Sequence, residues 1–593
     1  MIGATGGASG CDNVTFDNMV FNGINSTSFT LGDIFFLSVN NGFHPNLTVT
    51  NCTFNQASIP FYHQYSGSTY PAGFNISNNT FSNFGAYAMR LEGTDGATVN
   101  GNSWATTSSA VQAGAVFFNH NGNFNFRKNR LNFAINTGVP AVASQTRTAT
   151  GQAVFANNFI RVSGTNGVGF SASGSTNAAC LHNTILNLTS NTAYTATSGS
   201  SLSTVNNIFV NLGSGPAFTG ASGNAANFNN YWTNGGTLAV WNGIGNGTMA
   251  AHRASSAQDA NSSNVSVPFV DATNNDLSLT VVDVNLYGIG STSNGTFNSG
   301  IRGIVGDDIF GTTRSRSEVF MGAHQIVPVI SFNPAPPPTL VGCANQTLTI
   351  SGNAQVSFGA QLSFTWQRNG APLLDGVNGV SGASTGTLTI TNAQPSLNGG
   401  DYVLRVTATG GADPLVSNII NVVVNAPIEI NAHPASRVIC RGNETSMAVV
   451  ASGTILGYQW QKDGRNITGA TGPIYVVSNA GYDMSGRYRC VLSGTCGTTT
   501  IETNDAVVYV ASNTLIGSSP ETNGAAVGST GYLSVEVNAA AQFPGFSPQF
   551  QWYNGQTMLT DNGRISGTTT NQLTVRNMQA SDINANYYCV VTG

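Results

Sequence analysis

Charge is what this sequence has least of. Asp, Glu, Lys and Arg make up 8% of its 593 residues, about a third of the usual share. The net charge is -5, with no basic stripe, which argues against nucleic acid or acidic lipid as the main partner. No run of about 20 apolar residues occurs, so no membrane span is expected. The opening MIGATGGASG lacks the basic start and apolar stretch of a secretion signal, and the closing YYCVVTG stops within a strand-like run; both ends are expected to be cut from a longer protein. Cysteine is sparse: Cys11, Cys52, Cys180, Cys343, Cys440, Cys490, Cys496 and Cys589 do not make a disulfide framework. No CxxC or Cys/His spacing suggests zinc, which leaves Cys11, Cys52 and Cys180 as core thiols. Walker, GxSxG and HExxH motifs are absent.

What the chain does have is glycine, 70 residues of it, and 40% apolar residues spread throughout. That is enough to bury several cores and too much for a disordered tract. Along the first 230 residues a phrase recurs in which an apolar residue precedes asparagine, as in FNISNNTFSN. It appears as FDN at Phe16, VTN at Val49, ISN at Ile76, VNG at Val99, FRK at Phe126, FAN at Phe155, LHN at Leu181, VNN at Val205 and FNN at Phe228. The steps of 23 to 33 residues are those of a solenoid. Each unit is short alternating segments broken by Gly, Ser and Asn, with no helical stripe anywhere. One unit is therefore one coil of a parallel β-helix. Stacked coils would place an inward turn Asn above its predecessor, where it can bond backbone and the next Asn.

Residues 10–326 resemble the right-handed parallel β-helix repeat proteins of the pectate-lyase-like superfamily, on phrases such as LHNTILNL and STVNNIFVNLGSGPAF. PFVDATNNDLSL and GDDIFGTTRSRSEVFMGAH resemble the segment that often ends such solenoids, and residues 240–326 are expected to cover its carboxyl end. The resemblance implies the architecture, which enzymes, adhesins and tailspikes share, and no particular activity.

VPVISFNPAPPPTL then reads as a stiff linker over 327–339. Three units follow, 340–426, 427–512 and 513–593, with Trp366, Trp460 and Trp552 early and Tyr402, Tyr488 and Tyr587 late. They resemble immunoglobulin-like β-sandwiches, in which a core Trp packs between sheets and a Tyr two residues before a Cys braces a corner. Leu404 stands where the first unit would have that Cys. The variety they resemble is the one found in large surface proteins of gliding bacteria that use type IX secretion, where a Cys near the first strand meets a Cys in a later GTCG. That resemblance implies a Cys440–Cys496 disulfide and leaves Cys490 a buried thiol. The fold class is thus all-β, a right-handed parallel β-helix followed by a string of sandwiches, in an extracellular protein attached to the cell surface or released from it.

A catalytic flank would need acidic ligands with a base, or paired carboxylates. Aligning PFYHQY, AYAMRLEG, AVFFNHNG and PAVASQTR brings Tyr62, His63, Tyr65, Arg90, Glu92, His120 and Arg147 onto adjacent coils. Arg90 and Glu92 share a face and either form an ion pair or work on a glycan. Asp271, Asp276, Asp283, Asp307 and Asp308 are weak calcium candidates without the DxDxDG order; no other cofactor is expected. Three functions compete. One is a non-enzymatic surface protein, adhesin or subunit of an extracellular fibre, whose partners would be copies of itself. The others are a polysaccharide lyase or hydrolase, and a carbohydrate-binding protein whose partner is a surface glycan.

Overall fold

The stretch FNISNNTFSN folds as two three-residue strands, Asn75–Ser77 and Thr80–Ser82, joined by Asn78 in the left-handed conformation. This corner repeats from coil to coil in the computed structural model, which describes residues 2–5, 13–23, 34–39, 45–57, 59–65, 70–85, 87–106, 116–120, 123–146, 152–173, 178–197, 202–288, 305–314, 319–511, 516–518, 520, 524–537, 548–582 and 586–592. The left-handed residue is Asn18, Asn51, Asn78, Gly101, Lys128, Asn157, His182, Asn206 or Phe228 in turn. Asparagine and glycine adopt that conformation at least cost, which accounts for the phrase.

The residue after each corner points inward. From Asn79 onward it is Asn79, Asn102, Asn129, Asn158, Asn183, Asn207 and Asn229, all buried. Each Oδ1 accepts the backbone N–H of the inward residue one coil earlier, as in Asn102 to Asn129 at 2.9 Å and Asn129 to Asn158 at 2.9 Å. Each Nδ2 donates back to a carbonyl of the coil before, as from Asn129 to Val99 at 3.0 Å. The ladder thus exists one residue past most of the asparagines that mark the phrase. The register also corrects the last three alignments: Phe155 faces Cys180, which faces Thr204, which faces Ala226. Leu181, Val205 and Phe228 lie one or two positions beyond.

Coils stack into three sheets of eleven, nine and nine strands, parallel apart from the closing pair Ala239–Trp241 and Ile244–Asn246. Phe21, Phe54, Phe81 and Trp104 stack inside at 4.8, 4.8 and 5.3 Å, the spacing of neighbouring strands. Among the described residues one α-helix interrupts the β structure, Met249–Ser256, capped by Thr248. The expectation of no helical stripe is corrected here: Met249, His252 and Ser256 are its buried face, too short and too polar to register as one.

The expected cover of the carboxyl end by residues 240–326 is also corrected. The helix closes that end, but the rest doubles back along the side of the solenoid. Leu277, Leu279, Ile309 and Phe320 pack on the outward side chains Phe159, Leu186, Ile208 and Val210. Strands Thr184–Asn187 and Ile208–Asn211 are consequently buried at every residue, whereas Asn75–Ser77 alternates. Arg314 pins the segment, donating to Asn157 Oδ1 at 2.7 Å and to the carbonyls of Phe320 and Gly322. Burial pushes its pKa down to about 9, opposed by Asp308 and Asp307, so it keeps its charge at neutral pH.

Beyond this, three sandwiches follow. Trp366, Trp460 and Trp552 are each fully buried and lie opposite Leu404, Cys490 and Cys589. The Tyr488 hydroxyl donates to the Met484 carbonyl at 2.7 Å, the corner contact of this fold. Part of the segment read as a linker is a strand: Ile330–Phe332 pairs with Ala354–Val356. Cys490 is a buried free thiol, its pKa pushed up to about 11 by desolvation.

The Cys440–Cys496 disulfide does not form. Cys496 is bonded to Cys343 of the preceding sandwich, with a Cα–Cα distance of 5.6 Å, and Cys440 is free. The cause is topological. Cys440 pairs with Ala511, three residues past Val508, which faces Gly486 at the start of strand Gly486–Gly494. Cys496 follows the other end of that strand, which alone spans about 26 Å. A disulfide tolerates a Cα separation of no more than about 7 Å.

Candidate functional site

The flank singled out by the sequence lies on the eleven-stranded sheet. Strand Ile59–Gln64 pairs with Met89–Thr94, placing Tyr62 beside Arg90, His63 beside Leu91 and Gln64 beside Glu92. Val116–His120 comes next, with Phe117 beside Arg90 and Asn119 beside Glu92. Alternation sends Phe61, His63, Met89 and Leu91 into the core and leaves Tyr62, Gln64, Arg90 and Glu92 half-buried on the outside. His63 is therefore not a flank residue: its ring sits 4.9 Å from Phe74. The Gly93 backbone has φ of 68° and runs so close to the Tyr65 carbonyl that a Cβ would lie 2.1 Å from it. Glycine is required there by the approach of the two chains.

Arg90 is the centre of the outer cluster. Its guanidinium lies 5.4 Å from the Tyr62 ring centroid and 5.5 Å from that of Tyr87, within cation–π range. Its Nε donates to Glu92 Oε1 at 2.6 Å, and the two side chains form an ion pair. Burial works to lower the Arg90 pKa, but the Glu92 hydrogen bond and charge outweigh it and the net shift is upward. Burial raises the Tyr62 hydroxyl against the pull of Arg90, and that hydroxyl donates to Gln64 Oε1 at 3.0 Å. Tyr65 meets Tyr70 edge-on at 6.2 Å. The backbone of His120 is level with Thr94, while its side chain, like all of Arg147 and Cys11, lies outside the described residues.

The acidic candidates are spread over the doubled-back segment, where all but Asp307 accept hydrogen bonds within local turns. Asp271 accepts from the backbone of Thr273 and Asn274. Asp276 takes the Ser278 hydroxyl at 2.5 Å, and Asp283 caps a short turn through Asn285. Asp307 pairs with Lys128 at 2.5 Å. Buried Asp308 accepts the backbone N–H groups of Phe310, Thr312 and Gln325. Among the described residues no three of His, Cys, Asp or Glu converge as a metal-holding group.

One polar cluster escaped the sequence reading. At the end of the asparagine ladder, buried Asp259 accepts from Ser262 Oγ at 2.5 Å and Tyr231 OH at 3.0 Å, and its other oxygen lies 2.9 Å from His252 Nε2. Ser262 Oγ in turn accepts the Asn229 N–H. The residue types are those of a hydrolytic triad, but the carboxylate, not the imidazole, holds the serine, so the order of a Ser-His-Asp triad is not present. The cluster terminates the ladder, satisfying its last donor. The sequence signal for it, HRASSAQDANSS, begins in the helix that has no aliphatic stripe and runs past its end, where Asp259 and Ser262 lie.

No protein-family model matches the chain, and no curated protein matches it. Among solved structures, the I67–I69 I-band fragment of titin is 15% identical, with 45% of this chain and 94% of that chain covered and a TM-score of 0.28. Extracellular domains 3–5 of Drosophila OTK are 15% identical over 44% of this chain and 93% of that one, with a TM-score of 0.20. The four N-terminal immunoglobulin domains of Dscam1 isoform 7.44 are 18% identical over 34% and 52%, with a TM-score of 0.25. The sandwiches are defined by their own tryptophans and strand register. No helix among the described residues is long and apolar enough to cross a membrane.

Proposed function

We propose that the chain is a non-enzymatic extracellular surface protein, an adhesin or the subunit of an extracellular fibre, with the β-helix as head and the sandwiches as stalk. The observation that carries this reading is the pairing of Arg90 with Glu92. A lyase needs a basic group free to take a proton, and a glycosidase needs two carboxylates flanking the bond. Here the carboxylate and the cation of the outer cluster neutralise each other, and of the other acidic candidates Asp271, Asp276, Asp283 and Asp308 hold turns while Asp307 pairs with Lys128. The Cys343–Cys496 disulfide supports an oxidising, extracellular compartment. A right-handed solenoid of the pectate-lyase-like kind and export by the type IX route of gliding bacteria belong to the same reading. Negative-stain electron microscopy of material released from the producing cells tests it: fibres with a regular repeat, or rods carrying a stalk, are expected. Compact particles without a stalk would overturn it.

A second reading is favoured by the rings around Arg90. Tyr62 and Tyr87 with an intervening guanidinium form a half-buried aromatic and cationic face of the type that stacks on sugars. Binding on a glycan panel that falls with Tyr62→Ala supports it; binding indifferent to both Tyr62→Ala and Arg90→Ala removes it.

A further inference from the structure

One connection is cut short in the second sandwich. The carbonyls of Trp366, Trp460 and Trp552 accept the N–H groups of Leu373, Ile467 and Leu559, each at 2.9 Å. The N–H groups of the same tryptophans donate to the carbonyls of Ala383, Ala470 and Thr568, again at 2.9 Å. These bonds fix which segments correspond. Between Leu373 and Ala383 the first module holds a short strand, Val380–Ser381, and between Leu559 and Thr568 the third holds Ile565–Ser566. From Ile467 to Ala470 the second has a turn alone.

The missing strand is a cover. Val380–Ser381 pairs antiparallel with Thr387–Ile390, and Ile565–Ser566 with Gln572–Val575. Just past these, Thr391 N donates to Gly379 O at 2.9 Å and Arg576 N to Arg564 O at 2.8 Å. The counterpart strand Ile474–Val477 pairs on one side with Thr445–Ala448 and, among the described residues, with no strand on the other. Ser478, in the place of Thr391 and Arg576, is exposed, and its N–H meets no backbone acceptor among the described residues. Alternate residues of an antiparallel strand turn both backbone groups to one edge, so Ile474, Val476 and Ser478 present theirs to solvent. The outward side chains differ in the same sense. Thr387 and Thr389 in the first module, and Gln572 and Thr574 in the third, are polar. Ile474 and Val476 stand in their places, 57% and 46% exposed. No residue from 466 to 482 is charged, so the edge lacks the charges that usually keep such strands apart.

We propose that Ile474–Val477 is a docking edge for the same strand of a second copy of this chain, running antiparallel about a twofold axis through Val476. The covering strands of the other two modules show what fits: each sets a buried apolar side chain, Val380 or Ile565, opposite inward Ile390 or Val575. In the self-pairing, Tyr475 of the second copy falls opposite inward Val477 and supplies that apolar side chain. Val476 meets Val476 on the outer face, and Ile474 meets Ser478. An isologous contact brings each group against its own kind, which an uncharged edge tolerates and a charged one would not. Main-chain bonds hold the two strands, and the outward apolar side chains are covered as they meet. Stalks paired in this way serve an adhesin or a fibre alike.

Sedimentation velocity of the full chain across concentration tests this. The unaltered chain is expected to pass from monomer to dimer below about 100 µM. Val476→Lys and Val476→Glu each place like charges opposite one another at an exposed side chain, and each should raise the dissociation constant at least about tenfold. An equimolar mixture of the two variants should recover the dimer, because lysine then faces glutamate. Near-ultraviolet circular dichroism of the buried tryptophans, unchanged in both variants, shows that the modules remain folded. An unaltered chain that stays monomeric throughout, a dimer indifferent to both substitutions, or a mixture that stays monomeric overturns the proposal.

Discussion

Asn129→Ala removes a rung from the middle of the asparagine ladder, and its cost can be worked from the bonds it breaks. Asn129 Oδ1 accepts from Asn102 N at 2.9 Å and Asn102 Nδ2 at 3.2 Å; its Nδ2 donates to Val99 O at 3.0 Å and Asn158 Oδ1 at 3.1 Å. Asn102 and Asn129 are buried at 1% and 0% exposure, so no water replaces the lost partners. Stranding the Asn102 N–H costs about 1–3 kcal/mol, and the other three bonds about 1 kcal/mol each, giving about 4 kcal/mol or more. That amounts to about a thousandfold in an opening equilibrium. Hydrogen exchange of the full chain reads it locally, as faster exchange across 97–134 with the sandwiches unchanged. Asn129→Asp keeps the shape and loses the donor, setting an oxygen against Val99 O and Asn158 Oδ1, and should be no better than alanine. Thr98→Ala, on the outward face of a neighbouring strand, should change little. If exchange rises less than tenfold in Asn129→Ala, the asparagines serve the corners alone and the ladder is not what holds the coils.

Cys343→Ser should leave both sandwiches folded, because neither Cys343 nor Cys496 belongs to a tryptophan core, yet widen the distribution of angles between them; small-angle scattering would report a broader set of dimensions, and an unchanged profile would contradict a stapling role. Arg314→Met keeps the apolar stem but strands Asn157 Oδ1 and the carbonyls of Phe320 and Gly322. Losing one member of such a buried network costs about 3–5 kcal/mol, read as accelerated exchange over 305–314 and 319–326. In the third sandwich, the Arg564 hydrogen bond lowers the Asp582 carboxyl below its usual range. A depressed carboxyl contributes stability above its unfolded value and loses it as pH falls through the folded one, so that module should weaken below about pH 4. Asp582→Asn should flatten this dependence, and an unaltered acid profile would show that Asp582 is not its source.

The solenoid was legible because its corners demand a residue that tolerates positive φ, and that demand writes asparagine into the sequence at Asn51, Asn78 and Asn157. Where the corner fell to His182 or Phe228, or a second asparagine followed it as in Asn206-Asn207, the phrase slipped out of register and so did the alignment. The three sandwiches were legible from their tryptophans. His63 was misplaced although IPFYHQ held the signal: with Phe61 and Met89 inward, alternation puts Tyr62 and His63 on opposite faces. The doubled-back segment left a trace in TILN and IFVN, strands with no polar side to spare for solvent, since an uninterrupted run implies cover on both faces. The disulfide partner could not be read from spacing. Cys343 and Cys440 hold the same place in successive modules, and only the strand directions decide which of them meets Cys496.

The outer cluster holds the central claim, because a head whose Arg90 is neutralised by Glu92 should hold glycans, if it meets them, without cutting them. The most direct measurement is a panel of acidic and neutral polysaccharides incubated with the full chain, following unsaturated products and new reducing ends together. The account predicts no cleavage of any polymer, whatever is bound. Cleavage that disappears with Arg90→Ala or Glu92→Gln would contradict it and make this flank an active site.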